Sequence, residues 1–216
     1  MRAIKDLRGL RFPDDYIVRM FFKEGMNRRS GRVLELGCGS GSNLLLFAAF
    51  DWDVTGLDNN VDSLADARFN LEGRGALIEC DLSAGELPLD GHSFDAVILP
   101  SINYYVPRSA FISLLRDCRR VVRGPGCWFY IRSRLPEDWR WGRGQQLAAG
   151  AYRLDCRETG EFGLLNVFYS AEDLSSLISQ HLGHLDRRQQ LFVTYDNPQS
   201  GIVVRNADVV IWGILR

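Results

Sequence analysis

The chain has 216 residues, 46% hydrophobic and 25% charged, which suits one globular domain with a substantial buried core. A formal net charge of −1 gives no global attraction to nucleic acid or to an anionic membrane, and five cysteines without a C-x-x-C spacing argue against a disulfide framework or a zinc site. The opening "MRAIKDLRGLRFPDDY" is charged throughout and lacks an apolar core, so no secretory leader is expected; no run is long enough to span a membrane, and a reducing cytoplasm is the simplest setting.

In chain order, "DDYIVRMFFKEGMN" places Tyr16, Ile17, Met20 and Phe21 on one helical face, with Pro13 just before the start. A short buried strand follows at 33–36, then a helix over 42–50. "WDVTGLD" is a strand ending at Asp58, and "VDSLADARFNLEG" a helix closed by Gly73. "GALIECD" is a strand ending at Asp81, and "SFDAVILP" one ending near Pro100. "RSAFISLLRDCRRVVRG" reads as a helix capped at Gly124, and "CWFYIRSR" as another strand. This alternation predicts an α/β fold, a doubly wound parallel sheet with helices on both faces. The rhythm fails over 135–170, a loop-rich stretch holding Trp139, Trp141 and several arginines and glycines, and segments of that kind usually carry function. Ser170 and Asp173 then form an N-cap pair for a late helix, and "QQLFVTYD" and "ADVVIWGIL" are two last strands joined through "DNPQSG".

"RVLELGCGSGSN" runs a strand into a glycine loop and a helix, the arrangement that brings a nucleotide-like ligand against bare backbone and a helix N-terminus. Ser42 stands where a dinucleotide fingerprint needs its third glycine, and no Gly-Lys-Ser/Thr follows for a P-loop. Glu35, Gly37, Gly39 and Gly41 match E/D-x-G-x-G-x-G. With Asp58, Asp81-Leu82, "LPLDGHSFDAVIL" and "LLRDCRRVVRGPGCWFYI" in order behind it, the chain resembles the class I S-adenosylmethionine-dependent methyltransferases from about residue 31 to 131, and more loosely over the last two strands. The resemblance implies a Rossmann-like sheet of seven strands, six of them parallel, with an antiparallel edge hairpin. It implies S-adenosylmethionine as cofactor, bound by Glu35, Gly37, Cys38, Gly39, Asp58, Asn59, Asp81, Leu82, Pro100 and Ser101. In that site Asp58 would accept from the ribose hydroxyls and Asp81 from the adenine amino group, while Glu35 would anchor either the loop or the cofactor's ammonium. Cys38 is a small turn residue rather than a nucleophile, and no metal is implied.

For the acceptor, Tyr104, in "PSINYY", and Tyr16 are the expected contacts. Arg134, at the end of the fifth strand, is the expected anion clamp, with 135–170 as a substrate-recognition insertion and 1–30 as a helical cap on a single domain over 1–216. None of His92, His181 and His184 falls at the carboxyl rim of the sheet, so no histidine base is expected. The expected reaction is methyl transfer, at oxygen, to a small polar acceptor, anionic or sugar-like, by a monomer or homodimer. Arg116, Arg119, Arg120 and Arg123 share a helical face, which reads as a solvated surface rather than a nucleic-acid site. The competing readings are a nucleic-acid or protein methyltransferase, a non-catalytic cofactor-binding module, and a NAD-dependent oxidoreductase.

Overall fold

The structure, a computed structural model, describes residues 9, 12–84, 86–199 and 201–216; most of the charged opening stretch, where a leader was judged absent, lies outside them. Asp14 caps α1 (Asp15–Lys23), accepting the N–H groups of Tyr16 and Ile17, and Ile17, Met20 and Phe21 are buried as the spacing predicts. The alternating part follows as β1 (Arg32–Leu36), α2 (Ser42–Ala48), β2 (Asp53–Asp58), α3 (Val61–Asn70), β3 (Ala76–Glu79), β4 (Ala96–Pro100), α4 (Arg108–Val121) and β5 (Trp128–Arg134). After a small sheet of β6 (Gln145–Ala148), β7 (Ala151–Arg153) and β8 (Leu165–Val167) come α5 (Ala171–Leu177), β9 (Leu185–Gln199) and β10 (Ile202–Leu215).

The main sheet has seven strands in the order β3-β2-β1-β4-β5-β10-β9. β10 runs antiparallel to β5 and β9, so the other six strands point the same way, as expected. One face is covered by α1, α2 and α3 through Ile17, Phe21, Leu44, Phe47 and Leu64. The other is covered by α4 and α5 through Phe111, Leu114, Leu115, Leu174 and Leu177. The strand order reverses between β1 and β4, and the crevice beyond their carboxyl ends is where such sheets take ligands.

Three local expectations change. α4 stops at Val121 instead of reaching a Gly124 cap, because residues 92–94 run across its end and their N–H groups occupy the carbonyls of Arg120 and Val121. The last two strands are longer than expected. β9 continues through Pro198, which pairs with Val203; β9 is an edge strand, where a missing N–H leaves no sheet partner unsatisfied. Since β5 pairs only with Asp208–Ile214, the far part of the hairpin extends past the end of β5 as an arm at the carboxyl rim. The 135–170 stretch is also more ordered than a loop. Its three-stranded antiparallel sheet closes on Tyr152, Leu154, Cys156 and Phe168, and Val167 N–H donates to the Tyr104 carbonyl at 2.8 Å.

Candidate functional site

β1 delivers Glu35 to the rim and the chain then turns through Gly37 and Gly39, both with positive φ (72° and 50°). A Cβ on Gly37 would press on Ile102 at 3.0 Å, while one on Gly39 would meet nothing within 4 Å, so the loop is tight on one side and open to the crevice on the other. Asp58, at the end of β2, pins the loop: its Oδ2 accepts from Gly39 N at 2.8 Å and its Oδ1 from Asn60 N at 2.9 Å. Cys38 is buried with its sulfur turned toward Gly56. Burial, with Glu35 and Asp58 nearby, holds its thiol well above the usual range, so it stays protonated and unreactive. Ser101, just past β4, has φ 73°, a strained conformation of the kind that concentrates at ligand sites.

Two cavities meet at Gly37. The smaller, about 330 Å³, is lined by Asp58, Asn59, Asp81, Leu82, Ile102 and Tyr105 among others. The larger, about 920 Å³, is lined by Glu35, Cys38, Gly39, Pro100, Ser101 and Arg132 on the sheet side, by Phe12, Asp14, Asp15 and Tyr16 from the N-terminal segment, and by Val193, Thr194 and Tyr195 from the hairpin arm. All ten residues expected to bind a cofactor, and Tyr16, border one cavity or the other.

The floor of the larger cavity is a chain of polar groups. Glu35 is buried; its Oε1 accepts from Asn43 Nδ2 at 2.6 Å and its Oε2 has no partner. Burial pushes this carboxyl up to about 8; the Asn43 bond works against the rise, and the charges of Asp58 and Asp14 add to it. Asn43 Oδ1 in turn accepts the Asp14 N–H at 2.8 Å. Asp14 takes the Tyr130 hydroxyl at 3.0 Å and Arg132 Nη1 at 2.6 Å, and Arg132 Nη2 reaches Asp208 at 2.6 Å. No sequence motif marks Asp14, Asn43, Arg132 or Asp208 as members of this site; the long-range contacts bring them together. The sequence carries only an aspartate ahead of the α1 pattern and an asparagine just after the glycine loop.

Residues 33–126 match the family model described as a methyltransferase domain. Residues 33–126 carry a methyltransferase domain. Over 110 residues it is 31% identical to the ubiquinone biosynthesis O-methyltransferase of Sodalis glossinidius (strain morsitans), an alignment covering 50% of this chain and 43% of that protein. Over 102 residues it is 30% identical to the protein of the same name from Thiobacillus denitrificans (strain ATCC 25259 / T1), covering 46% and 43%. The chain thus spans less than half the length of these curated relatives. In fold it is similar to a SAM-dependent methyltransferase from Methanosarcina mazei, with a TM-score of 0.69 at 18% identity over 87% of this chain and 94% of the other.

The methyltransferase domain offers what S-adenosylmethionine, the donor of this class, requires. The unpartnered Glu35 oxygen in the cavity wall suits an ammonium, and the open face of Gly39 leaves room for close approach. Asp81 is exposed at the second cavity, and its bonds to the Ser83 hydroxyl and N–H hold its carboxyl below the usual range.

Two expected acceptor contacts depart from expectation. Arg134 is only 7% exposed and borders neither cavity. It donates to Glu161 at 2.9 Å and also to Asn166, while Arg140 bonds the other Glu161 oxygen and Asp138. With its charge already met by carboxylates, it is a structural ion pair and not an anion clamp. Tyr104 packs beneath it, its ring 4.3 Å from the guanidinium carbon, and is equally buried; burial raises its hydroxyl above the usual tyrosine range. The insertion contributes Leu164 and Leu165 to the smaller cavity and no residue to the larger one. Its other arginines are engaged locally, Arg143 over Trp139 at 3.6 Å and Arg157 over Phe162 at 3.8 Å.

On α4, Arg120 pairs with Asp117 and Glu86, Arg123 with Asp95, and Arg119 donates to the Arg216 carbonyl. No histidine borders either rim cavity. Among the described residues no helix is long and apolar enough to cross a membrane, and no cluster of three His, Cys, Asp or Glu side chains is placed to hold a metal ion.

Proposed function

We propose that this protein transfers the methyl group of S-adenosylmethionine to an oxygen of a small, uncharged polar acceptor seated in the larger cavity. The observation that carries the reading is the pair of cavities joined at Gly37, one edged by Asp58 and Asp81 and the other by the unpartnered Glu35 oxygen. On this reading Asp58 and Asn59 take the ribose, Asp81 and Leu82 the adenine, Glu35 the ammonium, and the Gly37–Cys38–Gly39 backbone the span between them. Pro100 and Ser101 wall the methyl end, and Tyr16 meets the acceptor.

The donor supplies an electrophilic methyl group on a sulfonium. The chain's part is to hold the acceptor oxygen in line with it, and proximity and orientation alone are worth several kcal/mol of barrier. Two curated relatives named as O-methyltransferases support oxygen as the target. An uncharged acceptor, sugar-like molecules included, is supported by Arg132. It is the only basic side chain among the described residues of that cavity, and Asp14 and Asp208 already hold it. We read the chain as one such domain, with α1 and the described residues before it capping the larger cavity and 135–170 closing the smaller.

The test is calorimetric titration with S-adenosylhomocysteine, followed by a screen with methyl-labelled donor against neutral hydroxylated compounds, amines and carboxylic acids. Product binding and label on neutral hydroxyl compounds are expected. Label confined to amines or acids overturns the acceptor assignment, and no binding overturns the donor site.

A further inference from the structure

Asn43 lies in the first turn of α2, is buried, and uses both ends of its amide. Nδ2 donates to Glu35 Oε1 at 2.6 Å, and Oδ1 accepts from Asp14 N at 2.8 Å. Only one orientation of the amide satisfies both contacts, since the reverse would set oxygen against oxygen and N–H against N–H. Among the described residues Glu35 makes no other side-chain hydrogen bond, so this contact sets the plane of its carboxyl group and thereby the direction of Oε2. Asp14, on the other side, is the cap of α1 and the partner of Tyr130 and Arg132. One neutral side chain therefore links the carboxylate of the donor side to the helix that walls the acceptor side.

We propose that Asn43 is a positioning residue: it aims the Glu35 oxygen at the ammonium of the methyl donor and ties that aim to the seating of α1. The inference rests on the donor site proposed above. The titratable groups near Glu35 are Asp14 before α1, Asp58 at the end of β2 and Cys38 in the glycine loop, with the Arg132 cation of β5 beyond Asp14. In an N43D variant a carboxyl group would face Glu35 with no change of shape. When protonated it still donates to Glu35 and accepts from Asp14. When ionised it sets two carboxylates against each other and turns Oε2 away.

The experiment is calorimetric titration of wild type, N43A and N43D with S-adenosylhomocysteine, which carries the amino-acid group, and with methylthioadenosine, which lacks it. Each variant is compared with wild type at about pH 6 and about pH 8.5, on either side of the Glu35 carboxyl, which burial pushes up to about 8. N43A is expected to weaken S-adenosylhomocysteine by about tenfold and methylthioadenosine by less than about threefold. N43D is expected to bind near wild type at the lower pH and to lose about tenfold at the higher, again only for the ligand with the amino-acid group. Equal losses for the two ligands, or an N43D affinity that follows wild type at both pH values, overturn the positioning role; because N43D keeps the side-chain shape, it decides the matter if N43A does not fold. If wild type binds neither ligand, the donor site falls too; if it binds both while the variants keep its ratio of affinities, only the role of Asn43 falls.

Discussion

Arg132 and Arg134 leave the same end of β5, two residues apart and so on the same side of the strand, yet they serve different parts of the molecule. Arg132 borders the larger cavity between Asp14 and Asp208, and Arg134 is sealed beneath the insertion against Glu161 and Asp138. The contrast extends to their surroundings. The glycine-loop region keeps a buried carboxylate oxygen without a partner facing open space, as a ligand site requires. In the insertion Arg134, Arg140, Asp138 and Glu161 close on one another, which holds a segment in place and leaves little to offer a ligand. A charged residue at a sheet rim is thus assigned by the carboxylates the tertiary fold brings to it.

The sharpest break of this contrast is Glu161→Ala, which strands two buried guanidinium groups and is expected to destabilise the protein by about 3–5 kcal/mol in urea unfolding. Burial works to raise the Glu161 carboxyl, but Arg134 and Arg140 outweigh it and hold it below the usual range. Its contribution is therefore present at neutral pH and fades as pH falls below about 4.5 and through the lowered folded value.

Glu35 has the opposite sign. With its carboxyl pushed up to about 8, the folded state binds a proton that the unfolded state releases above about pH 4.5. Stability of the ligand-free protein should therefore fall by roughly 2–4 kcal/mol on this group's account as pH rises from about 5 to about 8. Glu35→Gln should flatten that profile; an unchanged slope in denaturant titrations at the two pH values would remove the assignment.

Asp58→Ala should weaken S-adenosylhomocysteine binding by about 1–3 kcal/mol, read by calorimetry, because it removes both the proposed ribose acceptor and the loop's anchor at Gly39 N. Tyr195→Ala, on the hairpin arm, should raise KM for the acceptor severalfold, about 1 kcal/mol, with donor affinity unchanged. The smallest effect belongs to the insertion's surface. Arg143→Ala should alter stability by less than about 0.5 kcal/mol and leave acceptor KM alone, and a large rise in KM there would return acceptor recognition to the insertion.

What the sequence determined by itself was local. The period of the apolar residues set the alternation of strands and helices, and the spacing of Gly37, Gly39, Asp58 and Asp81 set the side of the crevice proposed for the donor, because those residues lie at consecutive strand ends that a parallel sheet must bring together. The acceptor side was decided by long-range contacts. Asp14 meets Arg132 across 118 positions, the hairpin arm reaches the cavity because β9 and β10 outrun β5, and Glu161 takes up Arg134 from 27 positions away. Those pairings depend on which charged side chains are desolvated together, and no periodicity or local motif in a single chain encodes that.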